Sequence, residues 1–561
     1  MALFVPLRVL AGRSPSEQPP VIDDVMKLIR PVLLAGFALA SVPAAVHAQA
    51  APADSAARNW HLLDPAADRV PGISAERAYR DLLARRQPRD TIIVAIIDSG
   101  VEVDHPDLDG VLWTNRREVP GNGRDDDGNG YVDDVHGWNF LGGRDGRNVK
   151  EDTYEVTRLY AQLRPRFQNA DSASVSAADR ADYALWRRVK ADFEGRRAEE
   201  EQTLAAIRQA EETLRQAEAI LKREMGTTTL TAGAVTLYSP RDQMGQQARQ
   251  IFLHFAGLGY SLERVVEARE STEAGVRFSL NPEFDPRHIV GDDPRNPTQR
   301  GYGNNDYEGP DAGHGTHVAG IVAAERGNGQ GIDGIAPAVR IMSIRAVPAG
   351  DERDKDVANA IRYAVDNGAR VVNMSFGKSF SPQKELVDAA VRYAEEKGVL
   401  LVHAAGNDGA DVSDDPSFPT PVLQGGRRAR NWIEVGASSW QGGEHLAAPF
   451  SNYDEQLVDV FAPGVAILST VTDGDIQRND GTSMAAPVVA GVAATILSYY
   501  PELTAEQVRQ IIMESATRFE GLSVVRPGGE DGRVPFAQLS GTGGVVNLHA
   551  ALQMAERMVR R

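Results

Sequence analysis

Three short apolar runs rich in β-branched residues recur along the chain, and each predicts a buried strand. They lie at residues 91–97, 371–376 and 399–404. Before the second run, at 357–365, and between the second and third runs, at 386–394, apolar residues repeat at spacings of three and four, which predicts helices. Strands that alternate with helices in this way predict an α/β fold, with a mostly parallel sheet flanked by helices.

The stretch 151–297 has a different pattern. No proline occurs between Pro165 and Pro240, charged residues are dense at 196–201, and apolar residues follow one another at spacings of three and four from Ile207 to Leu221. This predicts a long helical insertion, although two heptads are too few for a coiled coil. Two interpretations stay open: a solvated helical hairpin packed on the body, or an arm that binds a partner or restricts access to a site.

Charge and cysteine content narrow the function. The chain carries 78 acidic and 60 basic residues, a formal net charge of -18, and no cysteine. Because nucleic-acid binding needs a cationic surface, an acidic chain argues against a nucleic-acid partner. The absence of cysteine excludes disulfides, thiol catalysis and cysteine-ligated zinc.

Four polar residues follow or begin predicted elements. Asp98 ends the first strand, His314 precedes a helix of small residues, Asn407 follows the third strand, and Ser483 begins an apolar helix. At a helix N-terminus, exposed N–H groups and the helix dipole favour negative charge. Each residue alone also has an ordinary interpretation: a turn residue, an N-cap for Ser483, or a metal-binding pair for His314 and His317.

Together, these residues stand in the order Asp, His, Asn, Ser, within the segments VAIIDSGV, HGTHVAG, AAGN and GTSMAAP. The chain resembles the subtilase family at each of these segments, over about residues 91–517 apart from the insertion. The resemblance implies a serine endopeptidase with Ser483 as nucleophile, His314 as base and Asp98 as the group that orients the histidine. It also implies an oxyanion site made by the Asn407 side chain and the backbone N–H of Ser483.

The resemblance extends to peptide or protein substrates. It implies that one segment pairs with an extended peptide and that a second forms the other wall of the primary specificity pocket. These segments are Ser375, Phe376 and Gly377, and Ala404, Ala405 and Gly406. Three other functions stay open: a catalytically silent binding protein on the same scaffold, a related carboxyl peptidase, and a processing protease of narrow specificity.

A loop dense in acidic residues predicts a structural Ca²⁺ site. Residues 121–134 read GNGRDDDGNGYVDD. Within this loop, residues 125–133 follow the first nine positions of an EF-hand loop, which contain five ligand positions. The predicted ligands are Asp125, Asp127, Asn129, the Tyr131 carbonyl and Asp133. His136 stands where an EF-hand has its bidentate glutamate, so the loop is not an EF-hand. The alternative is a plain Asx-rich turn.

The N-terminal region predicts export. Met26, Lys27 and Arg30 precede an apolar stretch at 31–46, and small residues at 46 and 48 suit a signal peptidase. A membrane anchor is the alternative, but the stretch is shorter than the roughly 20 apolar residues of a spanning helix. We therefore expect a periplasmic or extracellular protein with no stable membrane span after cleavage.

The sequence also predicts the domain organisation. We expect an extension with the signal peptide at 1–48, followed by a lead-in at 49–90 that is flexible as far as residue 67. The predicted catalytic domain is formed by 91–150 and 298–520, with the insertion at 151–297 between its two parts. We expect a C-terminal segment at 521–561 to pack on the catalytic domain.

Overall fold

The computed structural model describes residues 56–294, 296–529 and 532–560. The predicted signal peptide lies outside the described residues. The described chain forms two compact units. The first contains the residues up to Glu155 and from Asp285 onward, and the second is Val156–Phe284.

All the strands of the described chain belong to the first unit. They are β1 Ile92–Asp98, β2 Gly137–Asn139, β3 Val339–Arg345, β4 Val371–Met374, β5 Leu400–Ala404, β6 Trp432–Ser438, β7 Val460–Pro463, β8 Ile467–Thr470, β9 Ile476–Asn479, β10 Thr517–Arg518, β11 Ser523–Val525, β12 Arg533–Pro535 and β13 Gly544–Val545. Nine of them form one sheet in the order β10-β13-β7-β6-β5-β4-β1-β3-β2. Its neighbours run parallel except for β10 and β13. Two antiparallel pairs, β8 with β9 and β11 with β12, stand apart from it.

The helices divide between the units. The α-helices are α1 Ala75–Ala78, α2 Glu155–Phe167, α3 Arg180–Met225, α4 Ala232–Leu237, α5 Gln243–Gly257, α6 Leu262–Ala274, α7 Gly313–Ala323, α8 Asp354–Asp366, α9 Lys384–Glu396, α10 Thr482–Tyr499, α11 Ala505–Ser515 and α12 Leu548–Val559. Shorter 3₁₀ or π turns occupy Trp60–Leu62, Tyr79–Leu83, Ser172–Ser174, Gly275–Ser279, Pro286–His288, Gly443–His445, Thr472–Gly474 and Phe536–Gln538.

Helices cover both faces of the large sheet, which explains why its central strands are mostly apolar. Along β1, Val94 and Ile96 face one core, which they share with α7 and α10. Ala95 and Ile97 face the opposite core, which they share with α8 and α9. The predicted fold class, a mostly parallel sheet flanked by helices with a long helical insertion, is confirmed.

The carboxyl ends of the central strands meet at one edge of the sheet. Asp98 on β1 is in register with Arg345 on β3, and Met374 on β4 is in register with His403 on β5. The predicted strand at 371–376 is too long, because β4 ends at Met374. Ser375 leaves the sheet and its hydroxyl donates to the Ser483 carbonyl at 2.8 Å.

The segment before β1 is packed rather than loose. Trp60, Leu62 and Ile73 are fully or almost fully buried in the same core as α10. The expectation of a flexible lead-in is therefore wrong for its described part, residues 56–67, because these large apolar side chains gain more from burial than the backbone loses in freedom. Near the other end of the chain, Leu548 and Leu552 of α12 reach the same core.

The second unit is a helical bundle built around α3, which is 46 residues long. Its buried stripe follows the predicted spacing from Ile207 to Leu221 and packs on α4, α5 and α6. The predicted hairpin is thus one long helix with several short partners.

Among the described residues, one helix is long and apolar enough to cross a membrane by length and composition alone. It is α10, and 94% of it is buried inside the first unit. Burial of this extent is typical of the core helix of a globular protein.

Candidate active site

Asp98 and His314 lie in direct contact, although they are 216 positions apart in the chain. The Asp98 side chain is almost fully buried at the end of β1, and its Oδ1 accepts from His314 Nδ1 at 2.7 Å. The same oxygen accepts from the backbone N–H of Ser99 at 2.8 Å. Since an ionised carboxylate only accepts, the Nδ1 of His314 carries the proton and its Nε2 can act as a base.

Two glycines allow α7 to approach the end of β1 closely enough for this contact. A Cβ on Gly315 would lie 2.0 Å from the Gly100 carbonyl oxygen. Gly100 itself has φ +124°, and a Cβ there would lie 1.8 Å from the carbonyl oxygen of Glu308. Both positions therefore require glycine, since a side chain at Gly315 would push the helix away from the end of β1 and one at Gly100 would displace the Glu308 backbone.

His317, one turn after His314, does not form a metal-binding pair with it. Its ring is fully buried, and Nε2 lies 3.1 Å from the carbonyls of Ile467 and Gln477. Because both partners are acceptors, Nε2 is protonated and cannot bind a metal. Burial lowers the pKa of His317 to about 3, so the ring stays neutral.

Asn407 contacts the N-terminus of α10 at Thr482, the residue before Ser483. Oδ1 of Asn407 accepts from both the N–H and the hydroxyl of Thr482, each at 2.9 Å. Because the Thr482 N–H is a donor, the Asn407 amide is fixed with Nδ2 as its other end. Asn407 is exposed and Ser483 is partly buried. The Ser483 hydroxyl donates to the Ser375 carbonyl at 3.2 Å.

The two predicted substrate-binding segments flank the start of α10. Besides the Ser375 contact with Ser483, the Gly406 N–H donates to the Thr482 hydroxyl at 3.2 Å. All six residues of these segments are buried, so a bound peptide would contact mainly their backbone. The six are Ser375, Phe376 and Gly377 on one side, and Ala404, Ala405 and Gly406 on the other.

Of the five predicted calcium ligands, two carboxylates come together with a third that the loop pattern did not include. One carboxylate oxygen from each of Glu118, Asp125 and Asp127 lies within 4.8 Å of the others. Arg117 lies 2.9 Å from Asp127 and offsets part of this charge. Three carboxylates within this distance are a donor set that fits a hard cation such as Ca²⁺.

The other predicted ligands serve the turn. Oδ1 of Asn129 accepts from the Tyr131 N–H at 2.8 Å. The Asp133 carboxylate accepts from the N–H groups of Asn122 and Gly123. The Tyr131 ring is buried against the ring of Trp138, with ring centroids 5.0 Å apart.

Several residues near the site were assigned no role from the sequence, although Thr482 lies within the GTSMAAP segment. Thr482 orients Asn407, and Asn452 donates to the Ala405 carbonyl at 2.9 Å. The Ser417 hydroxyl packs against Gly377, because a Cβ added to Gly377 would lie only 2.3 Å from the Ser417 Oγ. These contacts join segments distant in sequence, so only the folded arrangement reveals them.

Comparison with known proteins assigns the family. The subtilase family matches residues 89–538, and the chain belongs to that family. It is 39% identical over 251 residues to a thermophilic serine proteinase of Bacillus sp. (strain AK1), which covers 44% of this chain and 56% of that protein. It is also 39% identical over 209 residues to subtilisin DY of Bacillus licheniformis, covering 36% of this chain and 70% of that protein. The predicted family is confirmed.

Other relatives are matched over part of their length. A cell wall-associated protease of Bacillus subtilis (strain 168) is 34% identical over 230 residues, which are 41% of this chain and 24% of that protein. The chain spans about half the length of most of the curated relatives it matches. A solved protease structure from Pseudoalteromonas arctica shares 29% identity, with a TM-score of 0.36, and covers 45% of this chain and 74% of that one.

Proposed function

We propose that this protein is an exported serine endopeptidase that hydrolyses peptide bonds through an acyl-enzyme on Ser483. The observation that carries the proposal is the 2.7 Å contact between Asp98 and His314 at the carboxyl edge of the sheet. In this role Asp98 holds the imidazole in one tautomer and stabilises its protonated form. Membership of the subtilase family supports the same assignment.

Ser483 is the proposed nucleophile. Its hydroxyl donates to the Ser375 carbonyl, and we expect it to turn to Nε2 of His314 when substrate binds, because catalytic hydrogen bonds often tighten only then. Oγ attacks the scissile carbonyl carbon, its proton passes to Nε2, and the carbonyl electron pair moves to the oxygen.

Asn407 and the backbone N–H of Ser483 receive that oxyanion. Thr482 fixes the oxygen end of the Asn407 amide, which leaves Nδ2 as the donor. When the intermediate collapses, the C–N bond breaks and the leaving amine takes the proton from His314. Water then attacks the acyl group with the same base, and Ser483 regains its proton.

The proposed substrates are extended peptides and unfolded proteins. Residues 375–377 would pair with the peptide backbone, and residues 404–406 would form the other wall of the primary specificity pocket. Buried, small walls suit an apolar side chain. Nucleic acid is not an expected partner, because the formal net charge is -18.

Glu118, Asp125 and Asp127 are the proposed Ca²⁺ ligands, with the Tyr131 carbonyl within the same loop. A bound cation would offset the repulsion among three carboxylates and stabilise the folded loop by mass action. We expect a chelator to lower the thermal midpoint of the protein, and excess Ca²⁺ to restore it. An unchanged midpoint in the chelator would favour the plain Asx-rich turn.

Export is proposed from residues 26–48, together with the cell wall location printed in the name of one relative. The proposed domain organisation keeps 91–150 and 298–520 as the catalytic domain and 151–297 as the insertion. Its compact helical part is Val156–Phe284.

A fluorophosphonate probe tests the proposed function, because it reacts only with an activated serine. We expect labelling of the wild-type protein and none of Ser483→Ala. Ser413→Ala, at an exposed serine in a loop of the same unit, is the matched control and should label normally. Absence of labelling in a folded, Ca²⁺-loaded wild type would contradict the proposal and favour the silent scaffold.

A further inference from the structure

The side chain of Arg345 lies buried directly behind Asp98. Arg345 is the last residue of β3, it is 1% exposed, and its register partner on β1 is Asp98. Its guanidinium donates to three oxygens from three segments of the chain. These are the Ser99 carbonyl at 2.9 Å from Nε, Asn139 Oδ1 at 3.2 Å from Nη1, and the Val149 carbonyl at 2.5 Å from Nη2.

This placement is costly for a charged group. Among the described residues, every oxygen that receives a hydrogen bond from Arg345 is uncharged. Burial lowers the pKa of Arg345 to about 10, and the charges of Asp306 and Asp311 offset only part of that effect. Both aspartates are exposed. A buried guanidinium without a carboxylate in contact is stable only when its geometry is closely fixed by other groups.

One of the three oxygens that Arg345 holds belongs to Ser99, the residue that also holds Asp98. The Ser99 N–H donates to Asp98 Oδ1 at 2.8 Å, and the Ser99 carbonyl accepts from Arg345 at 2.9 Å. Ser99 is thus fixed at both of its backbone groups. On the far side, Gly100 is confined by the Glu308 carbonyl and by Gly315 of α7.

The backbone of Asp98 is fixed by the same strand. Its carbonyl accepts from the N–H groups of Ala346 and Val347, which follow Arg345, at 3.0 and 3.2 Å. The carboxylate itself depends on the Ser99 N–H for its orientation toward His314. A shift of the Ser99 carbonyl would therefore move the oxygen that His314 contacts.

We propose that Arg345 is a positioning residue for the Asp98–His314 pair: by holding the Ser99 carbonyl it sets the direction in which the Asp98 carboxylate meets the imidazole. This inference rests on the proposed function. Arg345 does not touch substrate or the reacting atoms, and it acts through Ser99. The alternative is that Arg345 only joins three segments of the first unit.

Arg287 provides a matched control, because it is another buried arginine of the same unit. It is 4% exposed, and it donates to both oxygens of Asp356 at 2.6 and 2.7 Å. None of its hydrogen-bond partners belongs to the candidate active site. An Arg→Lys change at either position keeps the charge and removes the planar fork, which is the feature that fixes several acceptors at once.

The experiment compares Arg345→Lys and Arg287→Lys in the full-length protein. The readouts are kcat and KM on a peptide substrate, the pH dependence of kcat/KM, the thermal midpoint, and the low-field proton resonance of the His314 Nδ1–H. The last readout reports the Asp98–His314 contact whether or not the protein is active. Arg345→Met, which loses the charge as well, is the second variant at that position.

We expect Arg345→Lys to lower kcat by about 10- to 100-fold with little change in KM, the size of effect that misplacement of a catalytic group by about 1 Å produces. Its low-field resonance should move upfield, and the acidic limb of its pH profile should move to lower pH, because a weaker contact with the carboxylate stabilises the imidazolium less. Arg345→Met should show the same changes, enlarged. Arg287→Lys should lose thermal stability only.

A wild-type kcat, pH profile and resonance in Arg345→Lys, with a lowered thermal midpoint, would overturn the proposal and leave Arg345 a structural residue. Wild-type protein without Ser483-dependent activity would overturn the proposed function instead. In that case the resonance still decides whether Arg345 positions the Asp98–His314 pair, and an unchanged resonance would reject it.

Discussion

The two units of this protein differ in how deeply they bury charged side chains. In the first unit, Arg287, Arg345 and Lys378 are each buried to 96% or more, and each makes several hydrogen bonds. In the helical unit, ion pairs such as Arg215 with Glu211 lie along the surface of one helix, with the arginine 54% exposed. Buried pairs constrain geometry at a desolvation cost, whereas exposed pairs contribute little and mainly keep a long helix soluble.

This difference fits the proposed mechanism. That mechanism requires the first unit to hold Asp98, His314, Asn407 and Ser483, which come from four separate parts of the chain, in fixed relative positions. The helical unit repeats one apolar stripe along α3, and none of the four proposed site residues lies in it. Four changes, from the largest expected effect to the smallest, test the comparison.

Asp98→Asn should produce the largest loss. We expect kcat to fall about 10,000-fold, because an amide at this position favours the wrong tautomer of His314. Asp192→Asn in α3, whose partner is Arg196 on the same helix, is the control and should leave kcat unchanged. Steady-state kinetics on a peptide substrate measures both. If Asp98→Asn kept more than about a tenth of the wild-type kcat, Asp98 would have no catalytic role in the proposed mechanism.

Asp356→Ala should destabilise the first unit strongly. It removes the two Asp356 oxygens that accept from Arg287, which leaves Asp292 as the remaining carboxylate partner of Arg287, and it removes the acceptor of the Tyr302 hydroxyl. Breaking a buried pair on one side costs about 3–5 kcal/mol of the free energy of unfolding. Glu218→Ala, which frees the partly exposed Lys222 in α3, should cost less than about 1 kcal/mol. Chemical denaturation measures both losses in the free energy of unfolding. Equal losses for Asp356→Ala and Glu218→Ala would contradict the comparison between the two units.

Two buried histidines should make the first unit sensitive to acid. Burial lowers the pKa of both His61 and His317 to about 3, below the value near 6.5 in the unfolded chain. Between these values the unfolded state binds a proton that the folded state does not. Stability is therefore fully present above about pH 6.5 and is lost as the pH falls toward 3, by about 1.4 kcal/mol per pH unit for each histidine.

His61→Leu tests this directly. Neither ring nitrogen of His61 has a hydrogen-bond partner within the described part of the chain, so an apolar side chain should be tolerated. We expect the free energy of unfolding of the variant to fall less steeply between pH 6 and pH 4 than that of the wild type. Parallel slopes would mean that His61 is not neutral in the folded protein.

Arg215→Gln should produce the smallest effect. It removes one exposed pair, Arg215 with Glu211, from the surface of α3. We expect a loss of about 0.5 kcal/mol or less at low salt, and none at about 1 M salt, where charges are screened within about 3 Å. A loss that persists at high salt would show that this surface depends on more than simple ion pairing.

Some parts of the site could be predicted from the sequence and others could not. The contact between Asp98 and His314 was implied by the resemblance of two local segments, VAIIDSGV and HGTHVAG, to the subtilase family. The buried stripe of α3 follows from its spacing. Arg345 could not be predicted in the same way, since a single arginine at the end of a strand resembles a solvated residue. Its role depends on Ser99 and Val149, which lie 246 and 196 positions away.

The acidic loop shows the same limit. Its spacing predicted Asp125 and Asp127, but Glu118 lies before the loop pattern and is brought in only when its carboxylate accepts from the N–H groups of Asp126 and Asp127. The end of β4 was misplaced for a related reason, because Ser375 is drawn away by Ser483. Local patterns predict elements, and contacts between distant segments decide where the elements end.

The central claim is that Ser483 cleaves internal peptide bonds, and mapping the products of an unfolded protein substrate tests it most directly. Mass spectrometry should find internal fragments with new N-termini in the wild-type reaction and none in a reaction with Ser483→Ala at equal concentration. The account would be contradicted if both proteins gave the same fragments at the same rate, or if a folded wild-type protein gave none.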